Sequence, residues 1–187
     1  MVDACTFVCS ITIERIDQKL SVSYPEKGTV GKTIQLKASA KTNITYESLK
    51  PSIASVSSNG KVTLKHPGIA VFRVKAAQTD KYFGVSEKIH FKSVLGKPKV
   101  KVKNAGEHSA KITWSKVAGA QKYLVYVKYP GQKKYKLAVK KSAKVKGIRH
   151  RNLKKGKKYS YKVRAYVKYN GKKYYSPYSK AVTIKAE

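Results

Sequence analysis

Groups able to do chemistry are sparse and scattered in this chain of 187 residues. Its four histidines, His66, His90, His108 and His150, share no ligand spacing. His66 precedes Pro67-Gly68 and reads as part of a turn. His90 lies between Ile89 and Phe91, so it faces away from any core those two enter. His150 sits between Arg149 and Arg151. The nine Asp and Glu are too few and too dispersed to suggest a converging carboxylate pair, and the second half has only Glu107 and Glu187. Cys5 and Cys9 make a C-x3-C with no later Cys and no matching His, a poor metal set that reads as two thiols in a terminal segment or as a short disulfide loop. No Gly-x-Ser-x-Gly, phosphate loop or dinucleotide fingerprint is present. The expectation is a non-enzyme, with no catalytic, cofactor-binding or metal-ligating residues and no cofactor.

What the chain does have is lysine interleaved with tyrosine. The stretch NLKKGKKYSYKVRAYVKYNGKKYYSPYSKAV, residues 152–182, contains no acid. The formal net charge of the whole chain is +33. Residues 1–95 hold 14 Lys and Arg against 7 Asp and Glu, a net +7, whereas residues 96–187 hold 28 against 2, a net +26. A field of that sign attracts nucleic acid, teichoic acid, acidic glycan or anionic lipid alike, and sign alone does not choose among them.

The elements that must carry these residues alternate with a period of two, and the helical period is nearly absent. KTIQLKASA, IAVFRVKA and EKIHFKSV in the first half, then SAKITWSKV, QKYLVYVKY, KKYSYKVRAYV and KAVTIKA in the second, all read as strands rich in β-branched and aromatic residues. Around SSNG, parity pairs Val56 with Val62 and Ala54 with Leu64. That leaves a three-residue loop, Ser58-Asn59-Gly60, with Gly60 in the left-handed position. Gly96 and Pro98 interrupt the alternation where the charge jumps. The division is therefore 1–17, an N-terminal segment; 18–95, a first domain; and 96–187, a second. ACTFVCSITI lacks the parts of an export signal and is too short to span a membrane.

In the second domain, Asn170-Gly171 reads as a two-residue hairpin turn, which pairs Tyr169 with Lys172, Lys168 with Lys173, Val167 with Tyr174 and Tyr166 with Tyr175. One face of the hairpin, from Tyr159 through Val167 to Tyr174, enters the core. The other gathers Lys162, Arg164, Tyr166, Lys168, Lys173 and Tyr175, and the neighbouring strand YLVYVK adds Leu124, Tyr126 and Lys128. Lys162, Arg164, Tyr166, Lys168, Lys173, Tyr175, Tyr126 and Lys128 are thus the candidate polyanion or glycan face. A bland explanation competes with it, because lysine stems cover exposed rings and lysines on sheets block aggregation.

Residues 97–187 resemble a fibronectin type III module. The resemblance rests on Trp114 in KITWSKV, the YLVYV strand, Leu153 six residues before Tyr159 as in that family's tyrosine corner, and YSPYS before the last strand. It is similar to the Lys- and Tyr-rich versions on Gram-positive surface proteins. Residues 18–95 resemble a bacterial immunoglobulin-like module of group 2, through VGKTIQLKASA and the run from Tyr46 in YESLKPSIASV to NGKVTL and GIAVFRVKA. The resemblances imply an all-β chain of two tandem immunoglobulin-like β-sandwich domains. They imply extracellular or cell-surface placement as part of a longer protein, in a spacing or adhesion role. The implied partners are cell-wall polymer, carbohydrate or other surface proteins. A basic nucleic-acid-binding protein ranks second, since stacked tyrosines serve bases as well as sugars but no RRM, KH or zinc-finger signature is present. Accessory substrate-binding modules of a secreted hydrolase are the third reading.

Overall fold

The computed structural model describes residues 14–187, so Cys5 and Cys9 lie outside the described residues. Every regular element among those residues is a β-strand. The first half contains β1 (Ser21–Ser23), β2 (Lys27–Thr29), β3 (Thr33–Gln35), β4 (Lys37–Ser39), β5 (Ile44–Ser48), β6 (Ala54–Val56), β7 (Lys61–Leu64), β8 (Gly68–Ala76) and β9 (Val85–Val94). Sheet β2-β9-β8-β5 faces sheet β3-β7-β6, with the pair β1-β4 beside them, and β2 runs parallel to β9. Alternation decides which face is inside: Ala70, Phe72 and Val74 of β8 meet Ile89 and Phe91 of β9, Val62 and Leu64 of β7, and Leu36 in one buried cluster. The turn between β6 and β7 has the expected register, Val56 opposite Val62 and Ala54 opposite Leu64, and Gly60 has φ 78°.

The second half contains β10 (Val100–Asn104), β11 (Ala110–Trp114), β12 (Lys122–Lys128), β13 (Lys136–Ser142), β14 (Gly147–His150), β15 (Lys158–Tyr169), β16 (Lys172–Tyr175) and β17 (Val182–Lys185). Sheet β10-β11-β14 closes over the five-stranded sheet β13-β12-β15-β16, in which β17 also pairs with β15. Between them lie Ile112 and Trp114 of β11, Tyr123, Val125 and Val127 of β12, Leu153, and Tyr159, Tyr161, Val163, Ala165 and Val167 of β15. Two tyrosine hydroxyls end in this core without being orphaned. Tyr159 Oη accepts the backbone N–H of Lys154 at 2.9 Å, closing the corner that its spacing from Leu153 suggested. Tyr123 Oη accepts the backbone N–H of Val117 at 2.7 Å.

The two halves are joined by more than the linker. Val30 and Leu95, which the chain order assigns to the first half, are buried in the second half's core cluster beside Val117. The backbone N–H of Val30 donates to the Val94 carbonyl at 2.9 Å, which sets the two side chains next to each other. Gly119 accommodates them: its φ is +74°, and a Cβ there would come within 2.9 Å of Val30 Cγ1. Across the same junction the His66 and Tyr169 rings stack at 4.2 Å with 8° between their planes. A cleft of about 530 Å³ lies beside that stack, lined by Ile53, Ile69, Lys92, Tyr169, Lys172 and Tyr174 among others.

Residues 97–187 expressed alone lose Val30 and Leu95 from their core. We expect the fragment to fold but to be about 1–3 kcal/mol less stable than the same domain in the full chain, the scale of burying such side chains. Trp114, the sole tryptophan, reports the unfolding of this half in both. Identical denaturation midpoints would show that the junction adds no stability.

Candidate functional site

Strand β15 is 12 residues long, and no single neighbour covers its outer edge. Tyr166 to Tyr169 pair with β16 in the expected register, Tyr166 opposite Tyr175 and Lys168 opposite Lys173. Lys158 to Tyr161 pair with β17. The segment Tyr175-Ser176-Pro177-Tyr178-Ser179 fills the gap. Ser176 N–H donates to the Ala165 carbonyl at 3.0 Å, and Ser179 N–H to the Val163 carbonyl at 2.8 Å. The returning bonds are made by side chains: Ala165 N–H donates to Ser176 Oγ at 2.9 Å, and Val163 N–H to Ser179 Oγ at 3.0 Å. Each hydroxyl then donates onward, Ser176 to the Pro177 carbonyl and Ser179 to the Lys180 carbonyl, both at 2.8 Å. The repeat along this segment is three residues, as in a polyproline-type extended chain, rather than the two of a strand.

A three-residue repeat puts Tyr175 and Tyr178 on the same side, over the outward face of β15. There the rings alternate with cations. Lys162 Nζ lies 4.3 Å from the centre of the Tyr135 ring and 4.0 Å from that of Tyr178. The guanidinium of Arg164 follows, 4.8 Å from Tyr178, 4.2 Å from Tyr175 and 5.5 Å from Tyr126. The order is therefore Tyr135, Lys162, Tyr178, Arg164, Tyr175, with Lys128 at 5.7 Å from Tyr135. Arg164 Nη2 also donates to Tyr126 Oη at 3.1 Å, and the Tyr126 ring meets Tyr178 edge-on at 5.2 Å. Tyr166 and Tyr175 complete the row at 5.1 Å. Burial holds the Tyr178 hydroxyl above its ordinary range; Tyr126 adds to that effect and Arg164 opposes it.

All eight residues of the sequence-derived face occupy this sheet, but they are not equivalent. Arg164 engages Tyr126 and Tyr175, Lys162 lies over Tyr135 and Tyr178, and Lys128 is at the end of the ladder. Lys168 and Lys173 are exposed and directly opposite each other near the hairpin tip. Leu124, opposite Arg164, is buried on this outward face and lies outside the core cluster. Two ladder members escape a reading based on alternation. Tyr178 lies beyond the end of β16, where the period changes to three. Tyr135 stands before β13, tied by its hydroxyl to Ser160 Oγ at 2.8 Å. The available signal was the pair of serines three residues apart in YSPYS.

A second aromatic group surrounds His150. Its ring meets Tyr129, Tyr159 and Tyr161 edge-on at 6.0, 6.2 and 5.8 Å, and Nδ1 lies 3.0 Å from Tyr161 Oη. Burial lowers the His150 pKa. Burial, with Tyr159 and Tyr129 adding, holds the Tyr161 hydroxyl far above its ordinary range. Both shifts favour the Tyr161 O–H as donor and Nδ1 of neutral imidazole as acceptor. The other histidines are separate: His90 is exposed, His66 is in the junction stack, and His108 Nδ1 lies 2.9 Å from the Leu153 carbonyl. Among the described residues no three His, Cys, Asp or Glu come together as a metal set, and no helix is long and apolar enough to cross a membrane.

No family model matches the chain, and a search of curated protein sequences finds no match. Among solved structures it is similar to a segment of two fibronectin type III domains from chicken tenascin, with 18% identity and a TM-score of 0.58, over 90% of this chain and 98% of that one. It is also similar to the FN1–FN3 domains of chicken CNTN1, with 18% identity over 86% of this chain and 62% of that one; the TM-score of 0.44 adds nothing to the assignment.

Two outcomes test the site's construction. Ser176→Ala leaves the buried Ala165 N–H without its acceptor, which should cost about 1–3 kcal/mol, the penalty for an orphaned donor. An unchanged denaturation midpoint would mean that the side-chain bond is not part of the sheet. His150 makes stability depend on pH. Its folded pKa is depressed, so the unfolded chain binds more protons once pH falls below the unfolded value of about 6.5. Its contribution is thus complete above that value and is lost as pH falls through and below it. His150→Gln should flatten the fall in Trp114-monitored stability between pH 7.5 and 5; an equally steep fall would exclude His150 as its source. The likeness to the tenascin segment shows the fold of the chain, two immunoglobulin-like β-sandwiches in tandem.

Proposed function

We propose that the chain is a non-catalytic spacer and adhesion segment of a larger bacterial surface or secreted protein. In this reading it combines a group 2 bacterial immunoglobulin-like module with a Gram-positive type of fibronectin module. It stands outside the cell and contacts anionic wall polymer or glycan. The observation that carries the spacing role is the junction, where Val30 and Leu95 enter the second core and His66 stacks on Tyr169. A linker alone would leave two freely jointed modules, whereas apolar burial across a junction favours one relative orientation. The excess of 28 cations over 2 acids in residues 96–187 supports an anionic partner, and the exposed Tyr175 ring, beside the half-buried Tyr166, suits a sugar.

Sedimentation of the full chain with purified Gram-positive wall sacculi tests the adhesive part. Binding is expected to intact sacculi and to fall sharply when their anionic polymers are stripped or salt is raised. Failure to co-sediment with either preparation would overturn adhesion. Small-angle scattering of the same sample tests spacing. A distribution of inter-domain distances as broad as that of a Val30→Ala, Leu95→Ala double variant would overturn a stiff junction.

A further inference from the structure

The other sheet of the second domain also carries cations free to meet a partner, set in a directly opposed row. In sheet β10-β11-β14, Lys103 is directly opposite Lys111, and Lys111 is directly opposite Arg149. Residues in register share a face. Val102, Ile112 and Ile148, one position along, point into the core, so the cationic row points outward. Lys101 is on the same face, two residues from Lys103, while Lys146 and Arg151 flank Arg149 along the chain; all six cations are exposed. Unlike Lys162 and Arg164, none of them lies over an aromatic ring of the described residues. The sole ion pair among the described residues is Arg73 with Glu47 in the first domain, so none of these six cations is ion-paired among them.

The surface is shaped as well as charged. A depression of about 440 Å³ is lined by Lys111, Thr113, Lys146, Gly147, Ile148 and Arg149. A second, of about 320 Å³, is lined by Arg149, Arg151, Ser109, Asn152 and the loop from Ala105 to His108. Arg149 belongs to both, which makes one track across the sheet. Glu107 is the only acid on it. No Tyr, Phe or Trp lines either depression, and the ring nitrogen Nδ1 of His108 is held at the Leu153 carbonyl. A nucleic acid strand binds such tracks by stacking its bases on rings, and this one offers hydroxyls, amides and cations instead.

We propose that this face, centred on the Lys103–Lys111–Arg149 row, binds an aliphatic polyol-phosphate polymer, whose repeating unit presents phosphate and hydroxyl groups and no ring. The inference rests on the adhesive reading above and places its anionic contact on the sheet opposite the tyrosine ladder. Bound phosphates displace condensed counterions, so affinity depends steeply on salt. Directly opposed like charges, unfavourable in the free sheet, become favourable once phosphates lie between them.

The test is a titration of the full chain with poly(glycerol phosphate) at several salt concentrations. Three charge-matched variants are compared with the parent: Lys103→Gln with Lys111→Gln and Arg149→Gln; Lys162→Gln with Lys168→Gln and Lys173→Gln; and Lys37→Gln with Lys41→Gln and Lys61→Gln. The first should lose at least about tenfold in affinity and lower the salt slope by about three, one for each phosphate contact removed. The other two should lose equally and much less. Equal losses in all three would overturn the site in favour of a diffuse field. A loss confined to the second variant would move the site to the ladder face. Either result leaves adhesion standing, whereas a parent that binds neither the polymer nor intact sacculi removes the reading beneath it. Tighter binding of single-stranded DNA of equal charge would overturn the polyol-phosphate assignment.

Discussion

The second sandwich depends on how Ser176 and Ser179 bond to β15. A long central strand must have its N–H and C=O groups paired on both edges. At Val163 and Ala165 neither β16 nor β17 reaches far enough, and these two residues are fully buried. Each serine supplies a backbone donor and a side-chain acceptor, so the four polar groups of Val163 and Ala165 on that edge are matched by two residues. The three-residue repeat that this chemistry requires then sets where Tyr175 and Tyr178 stand. The ladder on the outward face follows from the pairing of the edge.

The ladder changes the meaning of a basic tyrosine-rich surface. A cation over a ring face is attracted by about 0.5–1 kcal/mol when exposed and about 2 when desolvated. Lys162 is between two rings and Arg164 among three. These contacts tie together β12, β15, the YSPYS segment and the residue before β13, a cross-brace in a domain without cysteine. Sign and abundance in a sequence therefore overstate how much charge a surface offers to a partner. In the opposite sheet, where lysines face lysine and arginine with no rings, the same residue type is left to solvent and ions.

Much of this was legible in advance because parity is a strict rule. The registers at Asn59-Gly60 and Asn170-Gly171 and the core positions of β15 follow from alternation and turn chemistry, while the tyrosine corner at Tyr159 was implied by the resemblance to a fibronectin type III module. What was not legible lies where that rule stops. Tyr178 follows a different period, and Tyr135 reaches the ladder from a loop. Leu124 sits on the outward face yet is buried there, something alternation cannot foresee. Val30 crosses into a core that begins some eighty residues later, a contact with no local signature. His150 looked like a bystander between two arginines, and only the closure of the two sheets brings it to Tyr161.

The serine-built edge has a consequence for crowding. An ordinary edge strand shows a row of free carbonyls and N–H groups to which a strand from another molecule can add. Along 176–180 the Pro177 and Lys180 carbonyls already accept the Ser176 and Ser179 hydroxyls, and Pro177 has no N–H to offer. Copies held side by side at high local density would find little on this margin to recruit, so a densely displayed array of such domains could remain a set of individuals rather than fuse into a continuous sheet.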